Sequence, residues 1–144
     1  MNSWDEKYIN LCNYIAENWS KDRSTKVAAV IVNNRKKIVS LGYNGFPIGI
    51  DDSVEERHER PEKYLWTEHA ERNAIYSAAE LGVSVRGCTM YCNYLPCPDC
   101  ARAIIQSGIT EVIFFQSVVN SGNSAVEHTK EMFLEAGIII RKFE

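Results

Sequence analysis

Two short segments of the sequence carry residues that commonly bind metals. The first is His69-Ala70-Glu71 and the second is Pro96-Cys97-Pro98-Asp99-Cys100. Cys97 and Cys100 are three positions apart, a spacing that places both sulfur atoms on one side of the first turn of a helix. One imidazole and two thiolates form a ligand set typical of tetrahedral zinc with its fourth position open. An open position is typical of catalytic zinc, because structural sites fill all four.

Glu71 lies two positions after His69, so its carboxylate need not bind the metal. Zinc lowers the pKa of a bound water to about 7, and a carboxylate beside it could carry protons as general acid and base. Two other interpretations exist: Cys-x-x-Cys alone could be a redox pair, and a structural zinc would need a fourth protein ligand. Candidates for that ligand are, in principle, Cys88, Cys92 and His58. The two segments together favour catalytic zinc, and we predict that Cys12, Cys88 and Cys92 pack as small buried side chains.

Hydrophobic spacing predicts the elements that must position these residues. A helix is expected over residues 4–19 with Ser3 as its N-cap, followed by strands over 27–32 and 37–43. Further helices are predicted over 69–81, 97–107 and 124–136, and further strands over 89–94, 111–116 and 138–140. Residues 44–67 show no periodicity and predict a long loop without regular structure, which binds something or is mobile.

The order of these elements predicts the fold. The first two strands form an antiparallel hairpin, and each later strand is reached through a helix, which predicts right-handed parallel crossovers. We therefore expect the α/β class: a three-layer α/β/α sandwich with a five-stranded mixed sheet. A chain of 144 residues suits one domain over residues 1–144.

Composition excludes several classes of protein. The longest apolar run, residues 27–32, is far shorter than the roughly 20 residues of a membrane span. The N-terminus does not resemble a secretion signal, and five cysteines without such a signal do not suit a disulfide scaffold. The net charge of −3 argues against a nucleic-acid partner. We expect a cytoplasmic protein that acts on a small molecule.

The sequence resembles the deoxycytidylate (dCMP) deaminase family of the cytidine deaminase superfamily over about residues 20–143. The segment Gly42-Tyr43-Asn44-Gly45-Phe46-Pro47-Ile48-Gly49 separates this family from its relatives. Further similar segments are Ser20-Lys21-Asp22, residues 69–75, 87–91, 96–101 and 104–109. The resemblance implies a cytidine-deaminase-like fold and one catalytic Zn²⁺ per chain. The zinc ligands it implies are His69, Cys97 and Cys100, with Glu71 as the proton shuttle.

The resemblance also implies a reaction and a substrate site. The reaction is hydrolytic deamination of dCMP to dUMP and ammonia, which supplies dUMP for thymidylate synthesis. Asn44 is expected to touch the nucleotide, and backbone near Ala28 and at the Pro96–Cys97 turn to hold the edge of the base. The cations expected to neutralise the phosphate are Lys21 and Arg23, with Arg57 and Arg60 as further candidates.

Members of this family are regulated homohexamers, in which dCTP, with Mg²⁺, activates and dTTP inhibits. The resemblance places part of that nucleotide site at Gly42, Tyr43, Asn44 and Gly45. The alternative is that these glycines only shape a tight turn.

Two positions depart from similar sequences. Arg23 stands where proline is usual, and Ala28 stands where glycine is usual, with its methyl group expected to line the pocket. Both could alter the preference for a phosphate. The loop before His69 contains His58 but no cysteine, so a second, structural zinc is not expected.

Four alternative functions stay open at this point. Two change only the substrate, to dCTP as well as dCMP or to free deoxycytidine. A tRNA adenosine deaminase would share the zinc ligands but should carry a basic surface. A non-catalytic zinc module would have no need of Glu71.

Overall fold

A computed structural model describes residues 3–116 and 123–144 of the chain. The helices are α1 (Trp4–Trp19), α2 (Lys63–Trp66), α3 (Ala70–Leu81), α4 (Pro98–Ser107) and α5 (Asn123–Ala136). The strands are β1 (Ala28–Val32), β2 (Ile38–Tyr43), β3 (Thr89–Tyr94), β4 (Glu111–Gln116) and β5 (Ile139–Lys142). The predicted bounds of the longer elements therefore lie within about two residues of the observed ones.

The five strands form one mixed sheet in the order β2-β1-β3-β4-β5. β1 is antiparallel to both β2 and β3, while β3, β4 and β5 run parallel. α1 packs on one face of the sheet, and α3, α4 and α5 cover the other. The predicted three-layer α/β/α sandwich is confirmed.

β1 lies in the middle of this sandwich, and all five of its residues are buried. Because successive side chains of a strand point to opposite faces, Ala29 packs toward α3, whereas Ala28 packs with Val30 against α1. The expectation that the methyl group of Ala28 lines the pocket is therefore wrong. The backbone N–H of Ala28 donates to Oδ1 of Asn93 at 2.9 Å.

Residues with known capping preferences lie at several helix ends. The hydroxyl of Ser3 accepts a hydrogen bond from the N–H of Glu6 at 3.0 Å and caps α1, as predicted. Gly82 and Gly108 end α3 and α4 with φ of 73° and 89°, in the left-handed region that glycine enters most easily. His69 and Cys97 are the N-cap residues of those same two helices.

The expectation that residues 44–67 lack regular structure is wrong. They contain a 3₁₀ turn at Glu55–His58 and the one-turn helix α2. The ring of Phe46 stacks on His58 at 4.9 Å, and the guanidinium of Arg57 lies 4.0 Å from the ring centre of Trp66. Elements of one turn are too short to show a hydrophobic period, so contacts between distant residues hold this segment instead.

None of the helices in the described ranges is long and apolar enough to cross a membrane.

Candidate active site

The fold brings the three predicted zinc ligands together. Nδ1 of His69 lies 3.4 Å from Sγ of Cys97 and 3.3 Å from Sγ of Cys100. All three donor atoms lie within 4.8 Å of one another, and no fourth ligand joins them among the residues described. Zn–N and Zn–S bonds of about 2.0 and 2.3 Å in a tetrahedron separate the donors by about 3.5 Å. The donor types and their spacing therefore fit zinc with one position left for water or substrate.

Two helix N-termini present these ligands. His69 precedes α3 and Cys97 precedes α4, and the two helices pack side by side on one face of the sheet. The positive end of each helix dipole favours thiolates. A hydrogen bond from Cys100 is the main cause that lowers the pKa of Cys97 to about 4; burial opposes it and His69 strengthens it.

Glu71 lies in the first turn of α3, is only 5% exposed, and stands outside the ligand group. Burial raises the pKa of its carboxyl to about 7, because the charged form loses its hydration. A carboxyl that titrates near neutral pH can both take up and release a proton there. This is the chemistry predicted for Glu71 from its position after His69.

Sequence reasoning missed Glu68, which holds the backbone at the first ligand. Its Oε1 accepts hydrogen bonds from the N–H of His69 at 3.0 Å and from Nε of Arg72 at 2.6 Å. Its backbone pairs with Gly45 through two hydrogen bonds, of 2.8 and 3.2 Å. The signal that could have found it is an acidic residue just before a helix start with an arginine four positions later, which is the Glu68–Arg72 ion pair.

The Gly-Tyr-Asn-Gly segment begins in β2, and its first glycine packs against α3. A Cβ atom added at Gly42 would approach O of Ala70 and N of Ala74 to 2.4 Å, so β2 and α3 require glycine at this contact. The ring of Tyr43 is partly exposed and meets Trp19 edge-on at 5.9 Å. Gly45 has open space around the position of its missing side chain.

Asn44 is buried and holds the chain that leads into β1. Its Oδ1 accepts from the hydroxyl of Ser20 and from the N–H of Val27, and its Nδ2 donates to the carbonyl of Thr25. These bonds join β2 to residues 20–27. Contact of Asn44 with a nucleotide stays a prediction, as do the regulatory roles of residues 42–45.

The structure places Lys21 and Arg23 at one cleft, but each has an acidic partner there. Lys21 pairs with Asp52 at 2.8 Å, and the guanidinium of Arg23 binds both carboxylate oxygens of Glu55 at 2.7 and 2.9 Å. Lys63, which sequence reasoning did not single out, lines the same cleft.

The other three cysteines are buried and lie outside the ligand group. Each thiol contacts a backbone carbonyl: Cys12 that of Tyr91, Cys88 that of Arg86, and Cys92 that of Ile113. Their predicted role in packing is confirmed.

Comparisons with known proteins agree with this site. Residues 2–116 match the family model "Cytidine and deoxycytidylate deaminase zinc-binding region". Human deoxycytidylate deaminase is 38% identical over 145 residues, which cover 97% of this chain and 79% of the human one. A deaminase from Aliivibrio fischeri, described as uncharacterized, is 36% identical over 141 residues, 96% of this chain and 92% of that one.

Among solved structures, the dCMP deaminase of cyanophage S-TIM5 in complex with dCMP and dUMP superposes with a TM-score of 0.79. It is 26% identical, and the match covers 96% of this chain and 95% of that one. Together with the His/Cys/Cys group, these similarities define a hydrolytic deaminase with a zinc-binding domain. The chain belongs to the cytidine and deoxycytidylate deaminase family.

Proposed function

We propose that this protein catalyses the hydrolytic deamination of dCMP to dUMP and ammonia. The observation that carries the proposal is the buried carboxyl of Glu71 next to the His69, Cys97 and Cys100 donor group. Similarity to the human and cyanophage dCMP deaminases over almost the whole chain supports this choice of substrate. Zinc bound by the three donors would supply activated water at neutral pH.

Glu71 performs the proton transfers in this proposal. Attack of water at C4 of the cytosine requires that water lose a proton and that N3 gain one. Loss of ammonia requires a further proton on the departing amine. A single carboxyl beside C4 can make each of these transfers, and its burial keeps bulk water from competing for the protons.

Other groups complete the proposed substrate site. The backbone of the Pro96–Cys97 turn leads directly into α4 and is proposed to hold the edge of the base, although the carbonyl of Pro96 already accepts a hydrogen bond from Thr129 at 2.9 Å. Asn44 is proposed to touch the nucleotide through Nδ2, since its Oδ1 is occupied by two protein donors. The N–H of Ala28 already donates to Asn93 and makes no such contact in this proposal.

The family resemblance extends the proposal to regulation. We include activation by dCTP with Mg²⁺, inhibition by dTTP, a homohexamer, and a cytoplasmic role in supplying dUMP for thymidylate synthesis. Supporting features are the intact segment at residues 42–49 and the apolar side chains of Ile48 and Leu65, which are 96% and 80% exposed.

A substrate panel tests the reaction. Ammonia release is measured with equal concentrations of dCMP, deoxycytidine, dCTP and an RNA stem-loop, each with and without added dCTP and dTTP. The highest kcat/KM is expected for dCMP. Faster turnover of the RNA or of deoxycytidine would overturn the choice of substrate, and no response to dCTP or dTTP would overturn the regulatory part.

Glu71→Gln tests the mechanism. Because general acid–base catalysis contributes about 10²- to 10⁴-fold, kcat should fall by about that factor while one zinc per chain is retained. Glu80→Gln makes the same change at an exposed position near the other end of α3 and is the matched control. Near-normal kcat in Glu71→Gln would overturn the mechanism.

A further inference from the structure

An open cleft of about 190 Å³ lies beside the segment that presents His69. Thr67 lines the cleft and is two residues before His69, so their Cα atoms are at most about 7 Å apart. Gly45 also lines it, and its backbone pairs with Glu68. A nucleotide with its base at the zinc ligands could therefore extend its phosphate into this cleft.

The cleft carries more positive than negative side chains. The cations along it are Lys21, Arg23, Arg60 and Lys63, and the carboxylates are Asp22 and Asp52. The four cations differ in how many of their N–H donors already bind protein acceptors.

Two of the cations are bound to exposed acids. Arg23 gives both ends of its guanidinium to Glu55, and Lys21 is held by Asp52. A guanidinium already engaged by a carboxylate in two hydrogen bonds must break that pair before it can bind a phosphate in the same way.

Lys63 belongs to a buried cluster that Ser24 organises. Nζ of Lys63 donates to Ser24 Oγ at 3.0 Å and to the two oxygens of Asp22 at 3.1 and 3.3 Å. The side chains of Lys63 and Asp22 are only 11% and 7% exposed. The backbone N–H groups of Ser24 and Thr25 each donate a hydrogen bond of 2.9 Å to Oδ1 of Asp22. The lysine is thereby held in a fixed position beside the cleft.

Arg60 lies next to this cluster and keeps most of its donors free. One nitrogen of its guanidinium donates to Ser24 Oγ at 3.3 Å, and it has no ion pair within 4.0 Å among residues 3–116 and 123–144. A guanidinium has five N–H donors in a fork that matches two phosphate oxygens.

We propose that Arg60 and Lys63, which both donate to the hydroxyl oxygen of Ser24, bind the 5′-phosphate of the substrate and select a nucleoside monophosphate over the free nucleoside. This inference rests on the proposed function and refines its substrate site. Arg60 supplies the bidentate contact and Lys63 the fixed charge behind it. Lys21 and Arg23, expected from the resemblance to fill this role, instead form ion pairs with Asp52 and Glu55 at the cleft.

Arg60→Gln tests the proposal directly. Loss of a charge-assisted phosphate contact should lower kcat/KM for dCMP about 10- to 100-fold, mainly through KM, and leave kcat/KM for deoxycytidine within about twofold. Arg35→Gln removes one positive charge at the exposed β1–β2 turn and is the matched control. Arg23→Gln should reduce kcat/KM for dCMP less than Arg60→Gln does, and a larger loss in Arg23→Gln would overturn the assignment.

The contribution of Lys63 requires a compensated variant. Lys63→Gln alone leaves Asp22 buried without its cation and could unfold the segment. The double variant Asp22→Asn/Lys63→Gln removes both charges together. It should show the same selective loss for dCMP, with a melting temperature near that of the wild type. A folded double variant with an unchanged KM for dCMP would remove Lys63 from the proposal.

Binding measurements separate this inference from the proposed reaction. Calorimetry with dUMP and with deoxyuridine compares a nucleotide with and without its phosphate and needs no turnover. Arg60→Gln should weaken dUMP binding about 10-fold or more and leave deoxyuridine binding unchanged. Equal weakening of both would overturn the phosphate contact, whereas absent turnover of dCMP in the wild type would overturn the proposed function.

The same basic cleft could instead bind a phosphate of the effector dCTP. The concentration of dCTP that alters dCMP turnover should be the same in the wild type and in Arg60→Gln. A shift in that concentration, with an unchanged KM for dCMP, would assign the cleft to an effector and overturn the proposal.

Discussion

The zinc-ligand group and the neighbouring basic cleft differ in how their residues are positioned. At the ligand group, all three donors lie at helix starts: Cys97 and Cys100 share the first turn of α4, and His69, at the start of α3, meets them across 28 and 31 positions. In the cleft, Arg23 meets Glu55 across 32 positions and Lys63 meets Asp22 across 41. The ligand group is therefore recognisable from residue types at helix starts, whereas the state of each charge in the cleft depends on the partner that it meets in the folded chain.

The largest expected effect tests the ligand group. Cys100→Ser should reduce bound zinc well below one per chain and reduce deamination to background, because a three-ligand site loses one of its two thiolates. Zinc content is measured by atomic emission after dialysis. Cys88→Ala is the control, since that buried thiol lies in the core outside the ligand group, and this variant should keep one zinc per chain. Equal zinc in both variants would contradict the ligand assignment.

The next prediction concerns Glu68, which contacts both regions: its carboxylate accepts from the N–H of His69, and its backbone pairs with Gly45 at the cleft. Glu68→Ala removes the acceptor for the N–H of His69 and the partner of Arg72, and loss of such an outer contact costs about 10- to 100-fold in metal affinity. Competition with a chromogenic chelator measures that affinity. Glu68→Gln keeps a neutral acceptor and should restore part of the loss. If Glu68→Ala binds zinc like the wild type, the backbone at His69 is held without this carboxylate.

A third prediction separates packing from nucleotide binding in the Gly-Tyr-Asn-Gly segment. Gly42→Ala should lower the free energy of unfolding by about 1–3 kcal/mol, because the new methyl group would overlap the backbone of α3. Gly45→Ala introduces the same methyl group where there is open space, and urea unfolding should find it close to the wild type. Equal stability of the two variants would mean that Gly42 does not hold β2 against α3.

The smallest expected effect concerns pH and the buried pair in the cleft. Burial raises the pKa of Asp22, but hydrogen bonds from Thr25, Ser24 and Lys63 outweigh it and bring the pKa below the ordinary 3.8. The stabilisation is therefore complete above that pH and is lost as the pH falls through the lowered value.

Urea unfolding of chelated protein at about pH 7 and about pH 3 measures this dependence without a contribution from zinc. The double variant Asp22→Asn/Lys63→Gln, which removes both charges of the pair, should lose less stability between the two pH values than the wild type. Identical losses would show that Asp22 is not stabilised by its partners in the cleft.

Sequence patterns predicted the elements around the ligand group because each pattern spans only a few residues. The Ser3 cap, the glycine ends of α3 and α4, and the sheet all follow from hydrogen bonds and periodicities repeated within one element. The donor group itself followed from two such helix starts on neighbouring crossovers.

The face of β1 could not be predicted in the same way. A shift of one residue in a strand exchanges its two faces, so the choice between Ala28 and Ala29 depends on which helix layer covers each side. The close packing of Gly42 against α3 likewise requires the position of a helix that begins 28 residues later.

The sequence by itself determined the fold class, the His/Cys/Cys donor group and the carboxyl of Glu71, because these residues lie at the starts of two helices whose order along the chain makes them neighbours. Only the tertiary structure decided which charges of residues 44–67 are satisfied and which stay available. A lysine or arginine looks alike in any charged stretch, and its chemistry depends on partners that the chain brings near only when folded. Arg60 and Arg23 are the same residue type, but Arg23 binds the carboxylate of Glu55 whereas Arg60 has no ion pair among the described residues.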